Sequence, residues 1–258
     1  VIETAGSIPM LMMAALPICV SAENPVHLHV AKGGTDTTHA PTVNYLRFVL
    51  LPTLRKMGVD AELTVQKYGY YPKGMGEATL TVKPSRSLSP IRLEKFGNLT
   101  GISGVSVATF LADRQVAERQ AKSAQNRLSQ NDYRADIQIL NDKSNPIQKG
   151  TSIVLWAQTD TGVVIGADAI GQLRKMAEDV GREAAENLVS ELTVKPTADI
   201  FLADMLIPYM ALAEDKSVLY SRALSEHIEA NIWLMETMLN CRFSVQKVNN
   251  LYRIERVS

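Results

Sequence analysis

Cysteine is almost absent: Cys19 and Cys241 are the only two, far apart and in no metal-ligand spacing. That argues against a disulfide-stapled secreted scaffold and a thiolate-built zinc site, and suits two buried thiols in a reducing interior, so a cytoplasmic location is expected. Charge of either sign is not in excess either, with 27 Lys and Arg against 27 Asp and Glu. No global basic field advertises nucleic acid, and any RNA contact has to come from a local patch. Nor is there an apolar run of membrane length. The run from Ile8 to Pro17 is bracketed by prolines and lacks a basic flank, so it reads as a buried helix rather than a signal segment or a span. An initiator methionine is missing as well, since the chain opens on Val1-Ile2-Glu3 and runs at once into structured sequence. Residues of the natural protein are expected to precede Val1. What is present is an ordinary globular composition, 46% hydrophobic and 21% charged over 258 residues, long enough for two cores.

Along the chain, Val26-His27-Leu28-His29-Val30 alternates with the period of a strand, with both histidines on one face. Two histidines at that spacing can grip a metal, but no third ligand or carboxylate stands nearby in sequence, and a solvated strand face is the plainer reading. After a turn at Lys32-Gly33-Gly34-Thr35-Asp36, Val43, Leu46, Leu50, Leu54 and Met57 draw the apolar stripe of a helix kinked at Pro52 and stopped by Gly58. Two strands follow, Ala61–Val65 and Ala78–Val82, around the glycine-rich turn Tyr71–Glu77. The serine- and proline-rich stretch Pro84–Pro90 is the best boundary in the chain.

Beyond it, strands near Ile102–Ala108, Ile137–Leu140 and Ser152–Trp156 accompany two helices. One carries Ala117, Ala121, Ala124 and Leu128 inward; the other Leu173, Met176, Val180, Ala184, Leu188 and Leu192. After Lys195-Pro196 come a helix at Asp199–Met205, a second starting near His227, and a last strand pair at Cys241–Val248 and Leu251–Val257. The predicted fold class is α/β: a host domain of residues 1–93 and 195–258, interrupted by an inserted α/β domain of residues 94–194.

His227, one of only four histidines, is placed where chemistry is available to it. Ser225 is an N-cap residue, and Ile228, Ile232, Met235 and Leu239 recur at the spacing of one buried face, so the imidazole falls in a first helical turn. Free backbone N–H groups gather there, and the positive end of the helix attracts phosphate and disfavours a charged ring. Asn231, one turn on, shares its side and can steady the ring or a phosphate oxygen. The alternative is a histidine that merely decorates a helix start.

Several segments, in order, resemble the RNA 3′-terminal phosphate cyclases: Thr4-Ala5-Gly6-Ser7; Gly33-Gly34-Thr35-Asp36 with Pro41 and Tyr45; Tyr71-Pro72-Lys73-Gly74-Met75-Gly76-Glu77; Ala117-Glu118-Arg119-Gln120; Gly166-Ala167-Asp168; Ala203-Asp204; and Glu226-His227 with Asn231. The resemblance covers essentially the whole chain, and archaeal members look closest. It implies a host domain of repeated βαβαββ-like units carrying a smaller insert. It also implies ATP-dependent conversion of an RNA 3′-phosphate to a 2′,3′-cyclic phosphate through a histidine-AMP intermediate, with a divalent metal, magnesium or manganese, offsetting triphosphate charge. His227 matches the nucleophile and Asp204 a carboxylate beside it. Pro41, Tyr45 and Phe201 match the positions that sandwich adenine. Gly33, Gly34, Gly74 and Gly76 read as turn glycines rather than ligand contacts.

The chain departs from the pattern at Met13, where a glutamine is usual, at Met75, within a common run of glycines, and at Ala230, in place of a threonine. The family's first repeat would lie before Val1. Without it, the chain alone is expected to bind nucleotide weakly and not to turn over, the activity belonging to the intact protein. Two further readings share the fold: a cyclase-like ribosome-assembly protein, which would lack the nucleophilic histidine, and a catalytically dead remnant.

Overall fold

The computed structural model describes residues 1–257. It opens with α1 (Ile8–Val20), capped by the Ser7 hydroxyl accepting from the Met10 N–H. Ile8, Met12, Leu16, Cys19 and Val20 are buried, but Met10, Leu11 and Ile18 face outward, so the expectation of a wholly buried helix holds for one side only. Strand β1 (Val26–Gly33) follows, with His27 and His29 on its exposed face as the alternation required.

The kinked helix is three pieces end to end: α2 (Val43–Tyr45), a π turn over Leu46–Leu50, and α3 (Leu51–Arg55). Pro52 has no N–H to give to the preceding turn; the Leu51 N–H reaches back to the Leu46 carbonyl, and the widened turn absorbs the missing bond. All five predicted stripe residues are buried. β2 (Asp60–Lys67) and β3 (Gly76–Lys83) complete an antiparallel sheet in the order β1-β3-β2.

The glycines between these elements are needed for close approach more than for turning. Of Gly33, Gly34, Gly74 and Gly76, only Gly74 has a positive φ, 68°. A Cβ on Gly76 would stand 2.8 Å from the Gly33 carbonyl oxygen and 2.9 Å from the Gly69 nitrogen. Two backbones touch there, so glycine-rich segments far apart in sequence meet in one close packing.

After the Pro84–Pro90 connection, which pairs at Leu88 with Ala213 and is followed by a bridge from Arg92 to Val218, a four-stranded sheet forms. It consists of β4 (Leu99–Thr109), β5 (Ala135–Asp142), β6 (Gly150–Thr159) and β7 (Val164–Ile170), in the order β5-β4-β6-β7, with β4 and β5 parallel. Helices α4 (Val116–Ser129) and α5 (Ala177–Val194) pack on it and on each other. Ala117, Ala121, Ala124 and Leu128 point inward as expected, and so do Val180, Ala184, Leu188 and Leu192. Leu173 and Met176 do not, being 93% and 59% exposed. Met176 is the extended N-cap of α5, so the helical stripe begins one turn later than its spacing implies.

The last part repeats the first. Helix α6 (Ile200–Leu212), β8 (Ser217–Ser221), α7 (Glu226–Leu239), β9 (Phe243–Val248) and β10 (Leu251–Arg256) form an antiparallel sheet in the order β8-β10-β9. Helix, strand, helix and two strands therefore occur twice, each time with the third strand between the other two. The first helix of each unit carries an internal proline, Pro17 and Pro208; aligning them sets Met13 opposite Asp204. The second helices are capped alike: Thr42 accepts from the Tyr45 N–H and Ser225 from the Ile228 N–H, so Asn44 and His227 occupy matching positions.

One buried core runs through all three sheets. Phe48 of the π turn stacks on Trp156 of β6 with ring centroids 4.5 Å apart. Cys19 and Cys241 are both buried and free. Among the described residues no helix is long and apolar enough to cross a membrane.

Candidate active site

α7 begins as predicted, with Ser225 as its cap, and His227 stands exposed in the first turn. The inward face is thinner than its spacing implied, since Ile228 is buried, Ile232 and Met235 are half-buried, and Leu239 is 40% exposed. α7 packs on α6. This brings Asn231 to Asp204, where its side-chain amide donates to the carboxylate oxygen Oδ1 and lies 3.4 Å from the main-chain oxygen. Burial pushes the Asp204 carboxyl above its ordinary range, opposed by the Asn231 bond and then by the field of the neighbouring His227 ring. His227, Asp204 and Asn231 thus form one cluster on an open surface. Phe201, 59% exposed, sits three residues before Asp204 on α6, on the same side of that helix.

Tyr45 is elsewhere than expected. The ring is fully buried, and its hydroxyl donates to Asp199 Oδ1 at 2.6 Å. A side chain enclosed on all sides has no face free for adenine, so Tyr45 is a core residue here and the sandwich expected from it is corrected. Pro41, half-buried, precedes Thr42, whose N–H donates to Asp168 Oδ2 at 2.7 Å. Asp199 ties these pieces together: it also accepts from Phe201 N at 3.1 Å and Leu202 N at 3.0 Å, capping α6, and from Gly166 N of β7 at 2.8 Å. Pro41 and Phe201 are thereby anchored to one scaffold through Asp168, Tyr45 and Asp199.

Sequence reasoning missed this scaffold. Asp36, Asp168, Asp199 and Glu191 form a set of buried acids whose fields reach one another. Asp199 was findable as an N-cap residue immediately before an apolar helix; Asp36 and Asp168 stand in the segments that carry the resemblance but with no role read for them, and Glu191 has no local signal. Burial pushes Asp36 and Glu191 up to about 7 and Asp168 up to about 6, and raises Asp199 as well. Such groups hold protons in the folded state that unfolded carboxylates have released, so folding binds protons between about pH 4 and 7. Stability therefore falls as pH rises through that window. Thermal unfolding followed by circular dichroism is expected to give a higher midpoint at pH 5.5 than at pH 8, and Asp36→Asn to flatten the slope. A midpoint rising steadily to pH 8 would contradict the assignment.

The histidine pair on β1 has found partners the sequence did not disclose. His27 Nδ1 lies 3.1 Å from Thr81 Oγ1, His29 Nδ1 3.0 Å from Thr79 Oγ1, and His29 Nε2 3.2 Å from Glu77 Oε1. Among the described residues no three His, Cys, Asp or Glu side chains are arranged to hold a metal ion. Asp204 is the carboxylate that touches the His227 cluster, and no protein-built metal cage accompanies it.

A twice-repeated α/β unit, a four-stranded sheet between the copies, and a histidine presented at a capped helix start define the class. The family model described as RNA 3′-terminal phosphate cyclase matches residues 1–245. A protein named RNA 3′-terminal phosphate cyclase from Pyrobaculum aerophilum is 38% identical over 256 residues, spanning 98% of this chain and 72% of that protein. The protein of the same name from Thermococcus gammatolerans is 39% identical over 245 residues, spanning 95% of this chain and 69% of its own length. The chain belongs to the RNA 3′-terminal phosphate cyclase family, a family of enzymes.

Proposed function

We propose that the protein uses ATP to convert an RNA 3′-phosphate into a 2′,3′-cyclic phosphate, with His227 as the nucleophile. The observation that carries this reading is the exposed imidazole in a capped first turn, beside Asp204 and Asn231 held to each other. A ring nitrogen of His227 attacks the α-phosphorus; the nitrogen–phosphorus bond forms as the bond to the bridging oxygen breaks and pyrophosphate leaves. The RNA 3′-phosphate then takes the AMP from the ring, and the vicinal 2′-hydroxyl closes on that phosphorus, expelling AMP and losing its proton. Activation is required because a phosphate monoester dianion is a poor electrophile without a good leaving group.

Free N–H groups at the start of α7 favour the phosphate oxygens. Asp204 orients the imidazole, and Asn231 fixes Asp204. The exposed ring of Phe201 and the half-buried Pro41 offer apolar faces to adenine. A divalent ion, Mg²⁺ or Mn²⁺, supplies charge neutralisation on the triphosphate when bound; with no group of three ligating side chains among the described residues, such an ion is held chiefly by phosphate. In this reading residues 1–93 and 195–258 form the catalytic host and 94–194 the insert, and the two buried thiols favour the reducing cytoplasm.

The test uses the full natural chain, α-labelled ATP, a divalent ion and a 3′-phosphorylated oligoribonucleotide. Expected are an acid-labile, alkali-stable label on the protein and an RNA end that becomes resistant to phosphatase, with one AMP released per end. An unlabelled protein and an unchanged RNA end would reject the reading.

A further inference from the structure

A cleft of about 970 Å³ lies away from the His227 cluster's residues, between the glycine-rich loops of the first unit and the N-terminal ends of α4 and α5. That volume is at the upper end of pockets holding a whole small molecule and far exceeds a single phosphate. Three features of its wall point to one kind of occupant.

The first is unspent positive charge. Arg114, Lys149 and Arg174 line the cleft, all exposed, and among the described residues none has an anionic partner. Arg119 and Lys175 line it too but are held, at 2.7 Å by Glu178 and 2.5 Å by Glu183. The acids of the two first helical turns are engaged elsewhere: Glu178 with Arg119, Asp179 with Arg182, and Glu118 with Asn141. Asp36 is the one carboxyl on the wall, and its Oδ2 accepts from Thr35.

The second is backbone. α4 and α5, of 14 and 18 residues, both start at the cleft, and neither has a side-chain cap at Gln115 or Met176. Two helices that leave their first-turn N–H groups uncapped toward one cavity make a site for phosphate oxygens.

The third is aromatic. The Tyr70 side chain, only 3% exposed, lines the cleft. Next to it Tyr71 is 75% exposed on the rim, an open ring of the sort on which single-stranded bases stack.

We propose that this cleft binds the phosphodiester backbone of single-stranded RNA: Arg114, Lys149, Arg174 and the starts of α4 and α5 take the phosphates, and a base rests on Tyr71. The site rests on the proposed function in that it holds the body of the strand whose end reacts at His227.

The test is fluorescence anisotropy of a 5′-labelled single-stranded 12-mer ending in a 3′-phosphate, titrated with the full chain at several salt concentrations. The triple variant Arg114→Gln, Lys149→Gln, Arg174→Gln is expected to raise Kd by about tenfold or more. It should also lower the slope of log K against log salt by about 2, at roughly 0.7 for each phosphate that is no longer neutralised. Covalent labelling from α-labelled ATP should stay at the wild-type level. A matched removal of charge at Lys122, Arg134 and Lys216, also exposed, should leave Kd within about twofold.

Unchanged binding in the triple variant, or an equal effect in the matched control, overturns the cleft proposal. So does a wild-type chain that fails to bind RNA. In each case the ATP label separates the outcomes: label present leaves the histidine chemistry standing, label absent removes that reading too.

Discussion

Replacing His227 with alanine is expected to abolish the covalent label from ATP and to lower cyclisation by on the order of 10⁴-fold or more, the scale on which a nucleophile acts when no neighbour can replace it. The other histidines are placed differently: His27 and His29 lie on β1, paired with threonines and Glu77, and His39 lies in the loop before α2. The fold should be untouched, because the ring is exposed and the α7 cap is made by Ser225; a midpoint within a degree or two of wild type is the companion measurement. Asp204→Ala should behave differently. It removes the acceptor of Asn231 and the ring's orienting neighbour, so labelling slows by roughly 10- to 100-fold rather than vanishing. Wild-type labelling in His227→Ala would end the assignment, whatever Asp204 does.

The difference between these residues and Tyr45 shows what a sequence reveals. His227, Ser225 and Asn231 are related within a single turn and a half of helix, where spacing alone fixes which side chains are neighbours. That part of the site was legible. Tyr45 matches a ligand-facing position by resemblance, and its spacing also fits the apolar stripe; the structure shows the stripe prevailing, since its hydroxyl has a buried acceptor 154 positions along the chain. The same distinction runs through the fold. Pro52, Gly58 and the caps set element ends locally, whereas β7 and β8 escape recognition because small and polar residues, Gly166 and Asp168 in one and Ser217 and Ser221 in the other, interrupt their apolar pattern. The repeat hides for a similar reason. The two copies share strand order and an internal proline, but Met13 faces Asp204 and Asn44 faces His227 across them. Geometry is retained where packing requires it, while the residues at the matching positions differ between the copies.

Removing the Asp199 carboxyl is expected to cost about 3–5 kcal/mol, the largest stability change of any single substitution considered. Asp199→Ala would strand four donors at once: the Tyr45 hydroxyl, the Gly166 N–H, and the Phe201 and Leu202 N–H groups that start α6. All lie where water cannot readily replace the acceptor, Asp199 itself being 1% exposed. Asp199→Asn separates the parts of that loss. Its amide oxygen still serves Tyr45, Phe201 and Leu202, while its NH₂ faces the Gly166 N–H, so the expected cost falls to about 1–2 kcal/mol. Urea unfolding of both variants measures the difference. Because Asp199 anchors α6, which carries Phe201 and Asp204, the alanine variant should also lose nucleotide labelling in the fraction that stays folded, with His227 intact. If alanine and asparagine destabilise equally, the three Oδ1 bonds contribute nothing that the missing Gly166 bond does not, and Asp199 is not the joint between α2, β7 and α6.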